Sequence, residues 1–414
     1  MSEVLLTVHR AASEIGGNCL EIATSEGARL ILDIGRPLDA PVGIDSPLPP
    51  SLDLSKPAEG VLLSHPHQDH YGLLQQLPDE WPVFSGDAAA KLMRITTEII
   101  HKPIGRSFTT WESGRSFSAG PFLITPRLTD HSAFDAYMLL VEVAGKKLLY
   151  SGDFRMHGRK GGLVERLMRS PPPDIDVLIM EGTNLGSDKS CKSESDLEDD
   201  FVDLFQRTRG RVFIAWSGQN VDRTVTLYRA CKKTGRTLVV DIYTAEVMEM
   251  LAEHGKLPRP GLPNLKVVIT RKLSTLYRRD GRGEVTERMV RHGISANKLT
   301  ETPGRWVVMT RGSLIGDYER KGVIPDDQDV WSWSMWRGYL ENGQGAQVKE
   351  WFEKAGTPAV HLHTSGHATT ADLRKFAKRM NPKVLVPVHG TAWDTGLEGF
   401  PPIARLADGQ PVFV

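Results

Sequence analysis

Cysteine is scarce in this chain of 414 residues, which contains three, at positions 19, 191 and 231. They lie far apart and form no Cys-x-x-Cys pair, which excludes a disulfide framework and a zinc site made of thiolates. The sequence also lacks an apolar run of about 18 residues, which a membrane-spanning helix would need. Its first residues, "MSEVLLTVHRAASE", lack the basic start and long apolar core of a signal peptide. We therefore expect a cytoplasmic protein that does not insert into a membrane.

An excess of charge of one sign is missing as well. Lys plus Arg number 51 and Asp plus Glu number 51, so the formal net charge is zero. The overall charge therefore gives no sign of nucleic-acid binding, and a polyanion would have to be bound by a local groove. The hydrophobic content of 40% and the charged content of 25% are ordinary for a globular protein. The length predicts two or three domains.

Histidine is concentrated in one short stretch, "SHPHQDHYG", residues 64–72. It places His65, His67, Asp69 and His70 within six residues, and imidazole is the commonest protein ligand for transition metals. Two imidazoles one residue apart can meet one ion, and the Asp-His pair that follows can meet a second. The stretch thus predicts the first part of a two-metal site; the alternative is a histidine-rich surface turn.

Three further candidate ligands each end a strand-like run: His131 in "LTDHSA", Asp153 in "LLYSGDF" and His389 in "VPVHGT". The rim of a rigid sheet is where a site is held most precisely. We assign His65, His67 and His131 to one ion, Asp69, His70 and His389 to the other, and Asp153 to a bridge between them. Two such ions, roughly 3.5–4 Å apart, can hold a hydroxide that is nucleophilic at neutral pH and can clamp the oxygens of an in-line displacement.

The arrangement of predicted strands and helices changes along the chain. The first 155 residues are rich in short strands, including a hairpin in "AYMLLVEVAGKKLLYSGD", and favour a packed sandwich. From about residue 194, strands and helices alternate, beginning with the helix "SESDLEDDFVDLFQRTRG", which predicts a parallel sheet with "RWVVMTRG" as a candidate last strand. A helix-strand pattern returns near 346–414.

The segment 313–345 is the hardest to interpret. Its part "DVWSWSMWRGYLENG" contains three tryptophans and a tyrosine, all of them within residues 331–339. The aromatic side chains are either a plug between two domains or a platform on which bases stack. The sequence leaves both interpretations open.

The ordered set of candidate ligands resembles the metallo-β-lactamase superfamily, and Asp33 in "LILDIG" matches its first motif, an aspartate that supports the metal loop. Glu181 in "MEGTNLG", His367 in "HTSGHATTADL" and His389 in "PVHG" are similar to motifs A, B and C of the β-CASP branch, which processes nucleic acids. "EIGGNC" and the stretch from "HTSGHA" to "NPKVLVPVHG" most resemble the ribonuclease J family.

This resemblance implies an α/β fold, in which an αββα metallo-β-lactamase sandwich is interrupted by a β-CASP α/β domain of parallel strands. The expected sandwich comprises residues 1–192 and 346–414, and the expected insertion comprises 193–345. Two divalent ions are implied, with zinc as the usual metal and manganese as the alternative. Motif A differs from the usual Glu-Ser-Thr-Tyr of ribonuclease J. Because the sequence ends soon after motif C, we expect it to lack the C-terminal domain of that family.

The implied function is a metal-dependent ribonuclease that hydrolyses RNA phosphodiester bonds with a hydroxide held by both metals. Its catalytic residues would be Asp69, His367 as the acid that protonates the leaving oxygen, and Glu181 as its carboxylate partner. Ser365 and the Gly366 backbone would hold a phosphate together with His367. The alternative for His367 is a structural histidine within its turn.

Other functions remain open at this point. The same fold could cleave single-stranded DNA, although motifs B and C favour RNA. A small-molecule metallo-hydrolase would leave the inserted domain without a purpose, and a non-catalytic RNA-binding scaffold would be expected to have lost ligands. The mode of cleavage (endonucleolytic, 5′-exonucleolytic or both), the oligomeric state and the physiological target are not determined by the sequence.

Overall fold

The structure is a computed structural model that describes residues 3–40, 45–187, 190–341 and 343–414. The chain divides into two compact units. The sandwich unit comprises residues 1–97, 103–191 and 366–414, and the parallel-sheet unit comprises 98–102 and 192–365. Among the helices of the described ranges, none combines the length and the apolarity that crossing a bilayer requires.

The strands and helices of the described residues are numbered in chain order. The strands are Val4–Arg10 (β1), Cys19–Thr24 (β2), Arg29–Leu32 (β3), Gly60–Leu62 (β4), Val83–Gly86 (β5), Thr109–Trp111 (β6), Phe117–Ala119 (β7), Phe122–Leu128 (β8), Tyr137–Val143 (β9), Lys146–Tyr150 (β10), Val177–Met180 (β11), Val212–Ala215 (β12), Thr237–Asp241 (β13), Leu265–Val268 (β14), Gly293–Ile294 (β15), Trp306–Met309 (β16), Val330–Trp333 (β17), Ala359–Val360 (β18), Val384–Pro387 (β19) and Val412–Phe413 (β20). The helices are Gln68–Tyr71 (α1), Asp87–Ile99 (α2), Gly161–Arg169 (α3), Glu194–Arg207 (α4), Val221–Thr234 (α5), Ile242–Leu251 (α6), Arg271–Arg279 (α7), Gly283–Val290 (α8), Ala296–Glu301 (α9), Gly312–Arg320 (α10), Gly343–Lys354 (α11) and Thr370–Met380 (α12).

Two sheets form the centre of the sandwich unit. One has the strand order β20-β1-β2-β3-β4-β5-β6 and the other the order β19-β11-β10-β9-β8-β7. Their inner faces share one apolar core, in which Leu32 and Leu62 of the first sheet lie with Leu139 and Ile179 of the second. Burial of this apolar surface is the main force that holds the two sheets together.

Helices cover the outer faces of both sheets. Ala89 and Met93 of α2 pack on the first sheet, while Met168 of α3 and Phe376 of α12 pack on the second. The layers are therefore α, β, β and α, and the predicted sandwich is confirmed. The predicted hairpin is also present: β9 and β10 pair in antiparallel fashion across a turn at Ala144 and Gly145, both with positive φ.

The strand directions in the second sheet bring several loops to one edge. β10, β11 and β19 are parallel neighbours, and β8 runs in the same direction because both β8 and β10 are antiparallel to β9. The carboxyl ends of all four strands therefore lie at the same edge of the sheet. His131, Asp153, Glu181 and His389 each follow one of these strands.

The parallel-sheet unit contains one sheet with the strand order β15-β14-β13-β16-β12-β17-β18, and every pairing in it is parallel. Helices α4 to α8 pack on one face and α9 to α11 on the other. Helix α4 lies in the segment predicted to be helical, and Ser193 and Asp196 form a capping box at its start. The prediction of an α/β region with parallel strands is thus confirmed.

One detail of this region was predicted wrongly. β16, taken from "RWVVMTRG", lies in the middle of the sheet, between β13 and β12, and β17 and β18 follow it in sequence. β17 comes from the tryptophan-rich segment, where Trp331 and Trp333 are each 5% exposed. Because β18 pairs with β17, the parallel-sheet unit extends beyond the expected boundary at 345 to Ser365.

Candidate metal centre

The histidine-rich loop connects β4 to α1 in the sandwich unit. Asp69 on α1 is fixed through its own backbone, because its carbonyl accepts a hydrogen bond from the Asn18 N–H at 3.0 Å. Gly35 passes so close that a Cβ at this position would overlap the Asp69 carbonyl oxygen. The segment "EIGGNC" and Gly35 therefore pack directly against the loop that carries the candidate ligands.

Asp33 lies behind this loop and is fully buried. Its Oδ1 accepts from the Ser64 N–H, and its Oδ2 accepts from the Ser64 and Tyr150 hydroxyls, each at 2.7 Å. Oδ2 also lies 2.8 Å from His70 Nδ1. A carboxylate on one ring nitrogen directs the other nitrogen toward a metal, and His70 Nε2 does lie 3.2 Å from Asp153 Oδ2.

The first ligand cluster contains His65, His67 and His131, whose candidate ligand atoms all lie within 4.8 Å of one another. His131 Nδ1 is 2.6 Å from the Gly366 carbonyl oxygen, so His131 Nε2 points into the cluster, 3.2 Å from His67 Nδ1. Burial lowers the pKa of all three imidazoles, for His65 and His131 well below the ordinary value. The neutral form, which binds metal, is thereby favoured.

The second cluster contains Asp69, His70, Asp153 and His389. His389 Nε2 is 3.3 Å from Asp69 Oδ2, and His389 Nδ1 is 3.5 Å from Asp153 Oδ1. Asp153 also reaches the first cluster, since its Oδ2 is 3.6 Å from His65 Nε2. Burial acts to raise the pKa of Asp153, but His389, His70 and His367 lower it well below the ordinary value. Asp153 is therefore an ionised carboxylate next to both clusters.

The geometry of both clusters fits divalent-metal binding. Ligands about 2.0–2.1 Å from a tetrahedral zinc ion lie about 3.4 Å from each other, close to the 3.2 Å and 3.3 Å found between ligand atoms in the first and second cluster. Within the described residues, His65 Nε2, His70 Nε2 and Asp153 Oδ1 are buried without a hydrogen-bond partner. Unpaired buried polar atoms are rare and costly, and a bound cation would satisfy all three.

Glu181 and His367 form a pair beside the second cluster. Both Glu181 carboxylate oxygens lie near His367 Nδ1, at 3.2 and 3.0 Å, and the Phe154 N–H donates to Oε1 at 3.0 Å. Burial acts to lower the pKa of His367, but the charges of Glu181 and Asp153 raise it to about 9. The His367 side chain remains 21% exposed, so this imidazole lies at the accessible side of the centre.

Two residues of motif A have contacts that sequence reasoning missed. Thr183 Oγ1 is 2.9 Å from His389 Nδ1, and Asn184 Nδ2 donates to the carbonyl oxygens of His367 and Ala368, both at 3.1 Å. Motif A thus positions the histidines of motifs B and C. Both residues stand in the quoted "MEGTNLG", but hydrogen bonds to residues so distant in sequence leave no local pattern.

One of the residues predicted to hold a phosphate contacts the first cluster. The Gly366 carbonyl lies 2.6 Å from His131 Nδ1, and a Cβ on Gly366 would press against Ser132 Oγ, so a small residue here suits the packing around a candidate ligand. Ser365 is the last residue of the parallel-sheet unit. Phosphate binding by Ser365 and by the Gly366 backbone stays a prediction.

The fold and the site have counterparts among known proteins. The model of an RNA specificity domain of Zn-dependent metallo-hydrolases matches residues 359–392, which include His367 and His389. Ribonuclease J of Helicobacter pylori (strain ATCC 700392 / 26695) is 22% identical over 407 residues, which cover 94% of this chain and 56% of that protein. Ribonuclease J of Mycobacterium tuberculosis (strain H37Rv) is 25% identical over 404 residues, covering 92% and 67%. This chain is similar to ribonuclease J over most of its length.

The chain spans between about half and two thirds of the length of these curated relatives. A crystal structure of a protein of unknown function from Enterococcus faecalis V583 covers all of both chains, with a TM-score of 0.82 and 18% identity. At this identity the likeness concerns the fold, and it agrees with the metallo-β-lactamase and β-CASP architecture expected from the motifs.

Proposed function

We propose that this chain is a β-CASP-type nuclease that hydrolyses RNA phosphodiester bonds with two divalent ions, zinc being the expected metal. The observation that carries the proposal is the convergence of seven His and Asp side chains into two adjacent clusters, with the Glu181–His367 pair beside them. The similarity to ribonuclease J and to the RNA specificity domain supports RNA as the substrate. Free thiols at all three cysteines suit the cytoplasm, which we propose as its location.

The chain's own residues have distinct parts in this proposal. His65, His67 and His131 would hold one ion, Asp69, His70 and His389 would hold the other, and Asp153 would serve both. Two ions held there would supply a nucleophile at neutral pH and stabilise charge on the phosphoryl oxygens. Asp33 and Thr183 are positioning residues: Asp33 fixes the ring of His70, and Thr183 fixes the ring of His389.

His367 is the proposed general acid. Glu181 holds Nδ1 and keeps the ring charged, and Nε2 donates its proton to the 3′ oxygen as the bond between that oxygen and phosphorus breaks. General acid catalysis of this kind contributes ~10²–10⁴ in rate. Asn184, bonded to the His367 carbonyl, positions the backbone that carries this ring.

The test uses RNA with a normal and with a 3′-thio leaving group, because a thiolate leaves with little need for a proton. His367→Ala should keep both metals and RNA binding, lose turnover on the normal RNA by ~10²-fold or more, and recover on the thio substrate. Asp69→Ala should recover on neither, since it removes a metal ligand. Loss of metal from His367→Ala would make His367 a ligand and overturn the assignment.

Two further measurements determine the substrate and the mode of cleavage. Labelled RNA and single-stranded DNA of one sequence, digested side by side, decide between RNA and the alternative of a DNA nuclease. Sizing the products of a long RNA with a 5′-monophosphate or a 5′-triphosphate end decides between endonucleolytic and 5′-exonucleolytic cleavage. Hydrolysis of a lactam or thioester without any cleavage of nucleic acid would contradict the proposal.

A further inference from the structure

Two aromatic side chains of the tryptophan-rich segment lie on the surface of the parallel-sheet unit. Trp336 is 63% exposed and Tyr339 is 54% exposed, whereas Trp331 and Trp333 are each 5% exposed. The Trp336 and Tyr339 rings are 5.3 Å apart with planes at 89°. Among the large apolar side chains that are exposed in the described ranges, they are the only two whose rings contact each other. The segment therefore divides into a buried half and an exposed aromatic pair.

The exposed indole packs against the backbone of its own turn. The six-membered ring of Trp336 occupies the space that a Cβ on Gly338 would need, so the ring lies against the backbone of its own turn. The Trp336 carbonyl accepts a hydrogen bond from the buried Trp333 indole at 3.0 Å. A side chain that is already fixed loses little conformational entropy when a ligand stacks on it.

The pair also lies where a parallel sheet commonly binds ligands. It follows β17 at the carboxyl edge of the sheet, and ligands of open α/β sheets bind outside the carboxyl ends of the strands. A cavity of about 270 Å³ opens at the same edge, and its lining includes Ser217, Arg311, Trp333 and Met335. The aromatic pair is thus continuous along the chain with the wall of this cavity.

The positive charge beside the exposed aromatic pair favours a nucleic acid as the ligand. Arg337 stands between the two aromatic residues and is exposed. Proteins that bind single strands combine aromatic rings, on which bases stack, with cations that meet the phosphates. We infer that Trp336 and Tyr339 stack on unpaired bases of single-stranded RNA while Arg337 contacts the adjacent phosphate. This inference rests on the proposed function and assigns these three side chains to the contact with the substrate.

The experiment measures RNA binding and cleavage separately, with the full-length chain. Binding of a fluorescent single-stranded RNA is followed by anisotropy in the presence of a chelator, so that the RNA stays intact. Trp336→Ala and the double variant Trp336→Ala/Tyr339→Ala should weaken binding by about tenfold or more. Trp336→Phe should retain most of the affinity, and Gly338→Ala, which displaces the indole without removing it, should weaken binding. Phe413→Ala removes an aromatic side chain that is 68% exposed in the sandwich unit, and it should have no effect.

Salt dependence separates stacking from charge. Arg337→Gln should reduce the slope of log affinity against log salt by about 0.7, the amount expected for one phosphate contact on a single strand. The aromatic variants should leave that slope unchanged. Duplex RNA of the same sequence should bind wild type and aromatic variants equally, because its bases are not available for stacking.

Steady-state kinetics distinguish this inference from the proposed function. With metal present, the aromatic variants should raise KM for single-stranded RNA and leave the hydrolysis of bis(p-nitrophenyl) phosphate unchanged. A wild-type protein that binds RNA but cleaves neither substrate would contradict the proposed function alone. Unchanged RNA affinity in the double variant would overturn the inference. If that variant instead changed the sedimentation of the protein while RNA affinity stayed the same, the pair would be a contact between two copies.

Discussion

Asp153 places one carboxylate beside imidazoles of both ligand clusters. Its Oδ2 is 3.6 Å from His65 Nε2 and 3.2 Å from His70 Nε2. Its position, directly after β10, is set by a strand that is paired on both sides. A rigid backbone at this residue is what places one side chain beside both clusters.

We predict that Asp153→Ala loses at least one of about two ions per chain, because the bridging carboxylate offsets the repulsion between two dications. Metal content after dialysis against saturating zinc checks this. Glu181→Gln is the matched control: it changes a neighbouring buried carboxylate that we assign to His367, and it should keep both ions. Wild-type protein with a single ion at saturation would contradict the two-ion proposal.

At the scale of secondary-structure elements, the metal loop depends on a close approach between two backbones. Gly35 follows β3 and its N–H donates to the Asn18 carbonyl, while Asn18 in turn bonds to Asp69. No side chain fits between Gly35 and the Asp69 carbonyl. The position of α1 is therefore set by a glycine more than thirty residues earlier.

Gly35→Ala should displace α1, lower the free energy of unfolding by about 1–3 kcal/mol, and weaken metal binding. Thermal unfolding and zinc titration measure the two effects. Gly162→Ala is the control, since this glycine lies in helix α3 with no atom near its added Cβ, and alanine favours a helix by about 1 kcal/mol. Wild-type metal affinity in Gly35→Ala would show that the close approach is not needed.

A cluster of three hydrogen-bonded, ionisable side chains connects three neighbouring strands of the first sheet. Glu21 on β2 accepts from Arg29 on β3 at 2.7 Å and lies 3.2 Å from His9 on β1. Burial acts to raise the pKa of Glu21, but the hydrogen bonds from His9 and Arg29 lower it to about 2. Since the folded-state pKa is below the ordinary 4.5, the carboxylate stabilises the fold fully above pH 4.5 and progressively less as the pH falls toward 2.

We expect Glu21→Gln to lower the free energy of unfolding by about 1–3 kcal/mol at pH 7. The difference from wild type should shrink between pH 4.5 and pH 2, because wild type loses the contribution there and the variant has none to lose. Urea unfolding across this range measures it. A difference that grew on acidification would mean that the folded state does not favour the ionised form.

At the scale of the whole molecule, the candidate centre belongs to one unit. All seven proposed ligands, Glu181 and His367 lie within the sandwich unit, whose sheets and outer helices have their own apolar cores. The parallel-sheet unit has separate cores on the two faces of its sheet. Each unit thus has the internal packing that independent folding requires.

Replacing residues 192–365 by a short Gly/Ser linker should therefore leave metal bound to the sandwich unit. Hydrolysis of bis(p-nitrophenyl) phosphate should persist, while cleavage of long RNA should be lost, because we propose that the inserted unit binds the polymer. Metal analysis and the two activity assays check these outcomes together. RNA cleavage at the wild-type rate by the shortened chain would contradict the proposed role of the inserted unit.

The agreement between sequence and structure differs from residue to residue. The histidine-rich loop, Asp153 and His389 stand in short patterns at strand ends, and parallel strands necessarily bring such ends to one edge. Thr183 and Asn184 were missed because their partners are distant in sequence and no local pattern marks a hydrogen bond. β17 was missed because its tryptophans obscure the pattern of a buried strand, so β16 was taken as the last strand of the parallel sheet.

By itself, the sequence determined the two fold classes, the hairpin at β9 and β10, and the order of the candidate ligands along the chain. These depend on local propensity, turn residues and spacing, which can be recognised in short stretches of the sequence. Only the tertiary structure decided which nitrogen of each histidine points inward, that Asp153 lies beside both clusters, and which tryptophans are exposed. Those properties depend on hydrogen bonds and packing between strands that are far apart in the sequence, because the sheets join residues that no short window contains.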